Sequence, residues 1–149
     1  MRKTKKILAL AFAACVVGAH AADSSPSEPA SSWQAQAQKE IKANNYSGAI
    51  STLEAANQSN SADWNNLLGY ALRKKSPPDL AAAERFYLAA LKIDPKHRGA
   101  LEYYGELLLI KNDLAGAEQM LARLDKACIF SCEEFRDLKE AIARFKSKK

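Results

Sequence analysis

The chain repeats a short pattern at a fixed interval of 34 residues. The segments 45–50, 79–84 and 113–118 read NYSGAI, DLAAAE and DLAGAE. Two further sets keep the same interval downstream, namely Leu53, Tyr87 and Leu121, and Ala56, Ala90 and Leu124. Self-similarity of this length indicates stacked supersecondary units, each of which buries its apolar face against its neighbours.

Each unit is predicted to contain two helices. The second helices show the i, i+4, i+7, i+8 spacing of an amphipathic helix, as in Ala83, Tyr87, Ala90 and Leu91. Three side chains stand where an N-cap is needed, Asn45, Asp79 and Asp113. Asp94-Pro95 is predicted to cap and open the next helix. Because no period-two alternation occurs, we expect an all-α solenoid of about three helix-turn-helix repeats.

These positions resemble the tetratricopeptide repeat family, whose pattern places Leu-Gly in the first helix and Ala, an aromatic residue and Ala in the second. The middle unit matches at Leu68-Gly69, Ala83, Tyr87, Ala90 and Pro95. The third unit matches at Leu101, Tyr104-Gly105, Leu108 and Ala117, and the first, more weakly, at Trp33, Ala37, Ala49, Leu53 and Ala56. The resemblance covers residues 33–130, with repeats at about 30–61, 62–97 and 98–130. Ser76-Pro77-Pro78 departs from the pattern and is predicted to lengthen a turn.

The resemblance implies a binding groove, since in that family the first helices of successive repeats line a groove for peptides or protein segments. Carried over by position, the groove would present Gln34, Gln38, Asn66, Tyr70, Arg73, Glu102, Tyr103 and Glu106. Tyrosine and arginine are common interface anchors. The alternative is that Tyr70 and Tyr103 only pack between repeats. A protein or peptide partner is expected, with self-association as a further possibility.

Residues 1–21 have the three parts of a cleaved signal peptide. Arg2–Lys6 is cationic, Ile7–Gly18 is largely apolar, and Ala19-His20-Ala21 has the small-x-small form of a cleavage site. The apolar run is too short for a transmembrane helix, which needs about 20 residues. We therefore expect a periplasmic protein. The alternatives are an uncleaved helix and a lipoprotein acylated at Cys15. Residues 22–32 are predicted to be a disordered Ser/Pro linker.

The net charge of +5, from 22 basic and 17 acidic residues, belongs mostly to this segment. Residues 1–21 contain four basic residues and no acidic one, so removing them leaves 22 − 4 = 18 basic against 17 acidic, a net charge of +1. Lysine and arginine do not gather with aromatic residues into a track, and residues 147–149 form a basic tail. A nucleic-acid partner is therefore not expected.

A last helix, over residues 131–146, is predicted to cap the solenoid. Ser131 and Glu134 have the spacing of a capping box, and the helix carries one apolar face made of Phe135, Leu138, Ile142 and Phe145. The final repeat of a solenoid exposes an apolar flank that such a helix covers.

Cys128 and Cys132 bracket the break before this helix. In the oxidising compartment that export implies, a structural disulfide is the expected state. A redox-active pair usually has two intervening residues rather than three, and a zinc site would need two further ligands. These alternatives, and two free thiols, remain open from the sequence.

No set of residues points to catalysis. His97 lies in a turn between Lys96 and Arg98 and is predicted to be solvated, while Glu102 and Glu106 share a helix face as solvated or groove-lining acids. We expect no enzyme, no cofactor and no metal site. The leading hypothesis is a non-catalytic, protein-binding scaffold of the cell envelope, acting as an assembly factor or a subunit of an envelope complex. The alternatives are a thiol-redox protein using Cys128 and Cys132, and a self-associating structural protein.

Overall fold

The computed structural model describes residues 32–129 and 131–148, which contain helices and no strand. These helices are α1 (Ser32–Lys42), α2 (Tyr46–Ala56), α3 (Ala62–Lys74), α4 (Leu80–Ile93), α5 (Arg98–Ile110), α6 (Leu114–Ala127) and α7 (Glu133–Lys146). The predicted signal peptide, Cys15 and the linker up to residue 31 lie outside the described residues.

The helices pair in the order of the chain, as the repeat predicts. Helices α1 and α2, α3 and α4, and α5 and α6 form three helical hairpins, and each hairpin packs on the next. Helix α7 packs on both α5 and α6 at the end of the array. The expectation of an all-α solenoid with a C-terminal capping helix is confirmed.

The turns inside the hairpins follow from their sequence. The three predicted N-caps accept hydrogen bonds from backbone amides, namely from Gly48 to Asn45, from Ala82 to Asp79 and from Gly116 to Asp113. Asn44 and Asn112 precede two of these caps at φ 57° and 62°, in the left-handed region that asparagine tolerates. Proline occupies the equivalent position 78, and there the turn is longer, over residues 75–79 rather than 43–45 or 111–113.

The start of α5 differs from the prediction. Asp94 is the C-cap of α4, and its side chain accepts from the Lys96 amide at 2.9 Å. Helix α5 begins at Arg98, and His97 is its N-cap, with Nδ1 accepting from the Ala100 amide at 3.0 Å. The prediction that Asp94-Pro95 opens this helix is therefore wrong. The solvated role for His97 is wrong as well, because the ring is mostly buried at the helix start.

Helix α7 also begins differently, since Ser131 does not cap it. The extended N-cap position falls on Cys132, whose side chain makes no capping hydrogen bond. That side chain faces Cys128 instead, with the two Sγ atoms 2.01 Å apart and the Cα atoms 5.8 Å apart. Glu133 and Glu134 in the first turn place negative charge at the positive end of the helix dipole.

Two apolar clusters form the core. The first lies around Tyr87 between the N-terminal hairpins, and the second lies around Leu138 between α5, α6 and α7. Glycine allows close approach in each. A Cβ atom at Gly69 would lie 2.9 Å from the Tyr87 ring, and one at Gly105 would lie 2.6 Å from a Leu138 methyl group. Leu138 thus seats the capping helix directly on α5.

Candidate functional site

The first helices of the three hairpins are neighbours, since α1 contacts α3 and α3 contacts α5. On α3 and α5 the structure brings together Tyr70 with Tyr103 and Arg73 with Glu106. Asn66 is buried on α3 beside Gly99. On α1, Gln38 is exposed, and the Gln34 side-chain amide donates to Asp63 Oδ2 at 3.3 Å. A binding role for these residues is a prediction from the family resemblance.

Three tyrosines form a row across this face, which we call the tyrosine row: Tyr46, Tyr70 and Tyr103. The ring centroids of Tyr70 and Tyr103 lie 4.7 Å apart, and those of Tyr46 and Tyr70 lie 6.3 Å apart. All three side chains are half-buried. Tyr70 and Tyr103 therefore pack against each other between repeats and still present surface to solvent. Tyr46, at the start of a second helix, is an addition that the groove pattern did not include.

Arg73 lies under the tyrosine row and is held inside the fold. Its side chain is only 7% exposed, and it pairs with Glu106 at 2.7 Å. Its Nε atom donates to the Tyr87 hydroxyl at 3.3 Å, and its guanidinium lies 5.5 and 5.7 Å from the ring centroids of Tyr70 and Tyr103. Burial by itself would lower the pKa of Arg73. The interactions with Tyr87 and Glu106 together have a larger effect, so the pKa of Arg73 is raised. Arg73 positions the aromatic rings.

Glu102 is an unusual member of the site because it is a buried carboxyl group. The residue is 8% exposed, and it forms no hydrogen bond or ion pair within the described part of the chain. Burial raises the pKa of Glu102 to about 8. Neighbouring carboxylates add to this rise and come from two helices, α5 and α7: Glu106, Asp137 and Glu134. Arg73 opposes the rise.

Glu102→Gln is expected to stabilise the protein at pH 8 and to have little effect at pH 4. A raised folded-state pKa means that the folded protein binds this proton more tightly than the unfolded chain does. The stability gained from this tighter proton binding is complete below the unfolded pKa near 4.5 and is lost as the pH rises towards 8. After allowing for solvent screening, we expect a gain of about 1–2 kcal/mol at pH 8.

Urea unfolding at both pH values measures this effect, with Glu54→Gln as the control because Glu54 is exposed on α2. Equal unfolding free energies for the two variants at pH 8 would contradict the burial of the Glu102 charge.

A polar cavity of about 400 Å³ adjoins this face at the start of α5. Its lining residues come from α3, the α4–α5 turn, α5, α6 and α7: Asp63, Asp94, Lys96, His97, Arg98, Gly99, Ala127 and Glu134. His97 joins two repeats here. Its Nδ1 atom accepts from a backbone amide, so the proton is on Nε2, which donates to Asp63 Oδ1 at 2.9 Å. His97 and Asp63 are 34 residues apart, which is one repeat length, so the repeat period was the sequence feature that could have indicated this contact.

No group of three or more His, Cys, Asp or Glu side chains that would hold a metal ion occurs within the residues described. Nor is any helix among them both long and apolar enough to cross a bilayer.

Comparison with known proteins gives a result for structure alone. No protein-family model matches the chain, and no curated protein matches it in sequence. Solved structures do match. The type III secretion translocator chaperone SycD of Yersinia enterocolitica has a TM-score of 0.66 at 18% identity, over 78% of this chain and 82% of SycD. This chain shares the fold of SycD.

A second structure shows the same chaperone in complex with a peptide of the translocator YopD. It has a TM-score of 0.63 at 20% identity, over 78% of this chain and 91% of that chain. The likeness supports a TPR-like, all-helical repeat fold for this chain, in line with the resemblance in its sequence.

Proposed function

We propose that the protein is a non-catalytic scaffold that binds a peptide segment of a partner protein along the face formed by α1, α3 and α5. The observation that carries this proposal is the contact between Tyr70 and Tyr103, which lie on successive first helices with centroids 4.7 Å apart. Half-buried tyrosines fixed from below by Arg73 offer apolar area with little conformational entropy left to lose on binding.

Two further features support this function. Exposed Gln38 and half-buried Gln34 extend the face onto α1, where amide side chains can pair with the backbone of an extended peptide. The fold likeness includes a chaperone solved with a peptide of its translocator. That partner belongs to SycD, and for this chain we propose only the peptide-binding mode.

Tyr70→Ala is expected to weaken partner binding about tenfold or more, since truncating a buried aromatic anchor commonly costs over 1 kcal/mol. A photo-crosslinking residue at position 38 reports contact on the proposed face, and the same residue at position 88 is the control on the exposed side of α4. We expect crosslinks to one partner segment from position 38, a strong loss in Tyr70→Ala, and none from position 88. Equal yields at the two positions would contradict the groove.

We further propose that the scaffold works in the periplasm, as an assembly factor or subunit of an envelope complex, after removal of residues 1–21. The tripartite N-terminal pattern supports export. The juxtaposition of Cys128 and Cys132 at the start of α7 is compatible with a disulfide, the state that an oxidising compartment favours.

Intact mass of the protein recovered from the periplasm of a Gram-negative host tests the export proposal. We expect the mass of residues 22–149 less two hydrogens, and no free thiol on titration without reductant. A lipid adduct on Cys15 would contradict removal of residues 1–21 and would show that the protein is a lipoprotein. Two titratable thiols would contradict the disulfide.

A further inference from the structure

An apolar groove of about 220 Å³ lies at the C-terminal ends of α5 and α7. Its lining is apolar except for two basic side chains and consists of Leu109, Ile110, Ala141, Arg144, Phe145 and Lys148. Ile110 is 52% exposed, whereas the three leucines before it on α5 are buried. An exposed apolar side chain in a groove with polar groups around it is typical of a surface that a partner covers.

A second exposed apolar side chain lies at the other end of α7. Ile129 is 92% exposed, in the turn between Cys128 and Cys132 that leads into this helix. Helix α7 has 14 residues and is therefore about 20 Å long. Ile129 is thus too far away to enter the groove of its own chain, and a contact between the two needs two molecules.

The surface of α7 that joins these two ends changes sign along its length. Residues spaced by three or four positions share a helix face, and here they form what we call the α7 stripe. The stripe is acidic in its first half and basic in its second half, and consists of Glu133, Asp137, Glu140, Ala141, Arg144 and Lys148. Its charged members are all exposed.

The charges of the α7 stripe are weakly engaged within the described part of the chain. Arg144 pairs with Glu140 one turn away at 3.3 Å, and exposed pairs of this kind contribute little stability. Glu133, Asp137 and Lys148 form no ion pair with the other described residues. These side chains can therefore pair with charges on another molecule without breaking a strong contact.

An antiparallel pair of α7 helices matches the stripe with itself. With a two-fold axis between positions 140 and 141, Glu133 of each copy faces Lys148 of the other. Asp137 faces Arg144 in the same way. The symmetry repeats both contacts, so four ion pairs form. In a parallel pair, acidic residues would face acidic residues and basic residues would face basic ones.

We propose that two copies of the protein pair through antiparallel α7 helices, with Ile129 of each copy entering the apolar groove of the other. A second copy fits both features of this surface at once. It presents an exposed apolar side chain at the end of α7 where the groove lies, and it presents the opposite charges along the stripe. This inference goes beyond the proposed peptide binding and does not depend on it.

Sedimentation equilibrium of the protein purified without reductant tests the pairing. We expect the dimer fraction to rise between about 10 μM and about 1 mM protein, since a small interface gives a weak complex. Raising the salt from about 50 mM to about 500 mM should weaken dimerisation about tenfold, because exposed ion pairs are screened. A wild-type chain that stays monomeric at the highest concentration in low salt would overturn the proposal and leave the groove to a different kind of partner.

Charge reversal tests the match along the stripe. One double variant, Arg144→Glu with Lys148→Glu, has an acidic stripe. The other, Glu133→Lys with Asp137→Lys, has a mostly basic one. We expect each variant alone to be monomeric and an equal mixture of the two to dimerise, because opposite charges then face each other. A variant that dimerises alone as well as the wild-type protein would overturn the proposal, as would a mixture that stays monomeric.

Lys39→Glu with Lys42→Glu is the matched control for the acidic variant. It makes the same change of charge on α1, which does not contact α7, and it should dimerise as the wild-type protein does. Ile129→Ser tests the apolar contact and should weaken dimerisation about tenfold or more, since two isoleucines lose their burial. Unchanged dimerisation in Ile129→Ser would overturn the contact with the groove.

Zero-length carbodiimide crosslinking tests the orientation of the two helices. Glu133 and Lys148 are 15 residues apart in the sequence and about 20 Å apart along α7, so a direct amide bond between them forms only between copies. We expect this crosslink in the wild-type dimer and in the α1 control. A wild-type dimer that gives crosslinks without this one would overturn the antiparallel arrangement.

Discussion

Leu138→Ala is expected to lower the free energy of unfolding by about 3–5 kcal/mol, the upper part of the range for large-to-small core substitutions. Leu138 is fully buried, and its methyl groups pack against Gly105, where α7 meets α5 most closely. Glycine offers no side chain that can move into the space left by the leucine. The cavity therefore stays open, and the transfer and cavity terms both apply.

Leu88→Ala is the matched control. It removes the same atoms from a leucine on α4 that is 48% exposed. Its expected cost is under about 1 kcal/mol, because much of its surface already meets water. Urea unfolding followed by circular dichroism measures both variants. Similar midpoints for the two would mean that α7 is not part of the cooperative core, contrary to a capping role.

The helical hairpins were predictable because their signals are local and recur. Asn45, Asp79 and Asp113 cap their own helices through bonds three residues away, so their spacing alone indicated three second helices. At each of the two helix starts that were mispredicted, a nearby residue has a stronger N-cap preference than the residue that occupies the N-cap position. Asp94-Pro95 and Ser131 both have good capping chemistry, but the helices begin at the residues after His97 and Cys132.

The site was only partly predictable, for a different reason. The eight groove positions were carried over from the resemblance to the tetratricopeptide repeat family, in which the first helices line the groove. The environment of Glu102 depends on Glu134 and Asp137, which approach it only after α7 folds back onto α5. Nothing in the sequence near Glu102 distinguishes it from a solvated surface acid. Nothing in the sequence near Arg73 indicates its burial either, because the carboxylate that pairs with it under the tyrosine row, Glu106, is 33 residues away.

Arg73→Ala is expected to cost about 3–5 kcal/mol, the range for removing one partner of a buried ion pair. The guanidinium is 7% exposed, pairs with Glu106 and donates to the hydroxyl of the fully buried Tyr87. Truncation leaves the carboxylate without its counter-charge and removes the Tyr87 contact. It also removes the cation beneath Tyr70 and Tyr103, so the tyrosine row should loosen.

Lys111→Ala separates this effect from the loss of an ordinary ion pair. Lys111 pairs with Glu84 at 2.6 Å, as close a contact as that of Arg73, but its side chain is 44% exposed and the expected cost is under about 1 kcal/mol. Pairing Arg73→Met with Glu106→Gln should recover part of the stability, because it removes the unpaired charge. If Arg73→Ala unfolds at the same urea concentration as Lys111→Ala, the guanidinium is free to contact a partner. If it unfolds much earlier, Arg73 acts on binding only through the tyrosines that it positions.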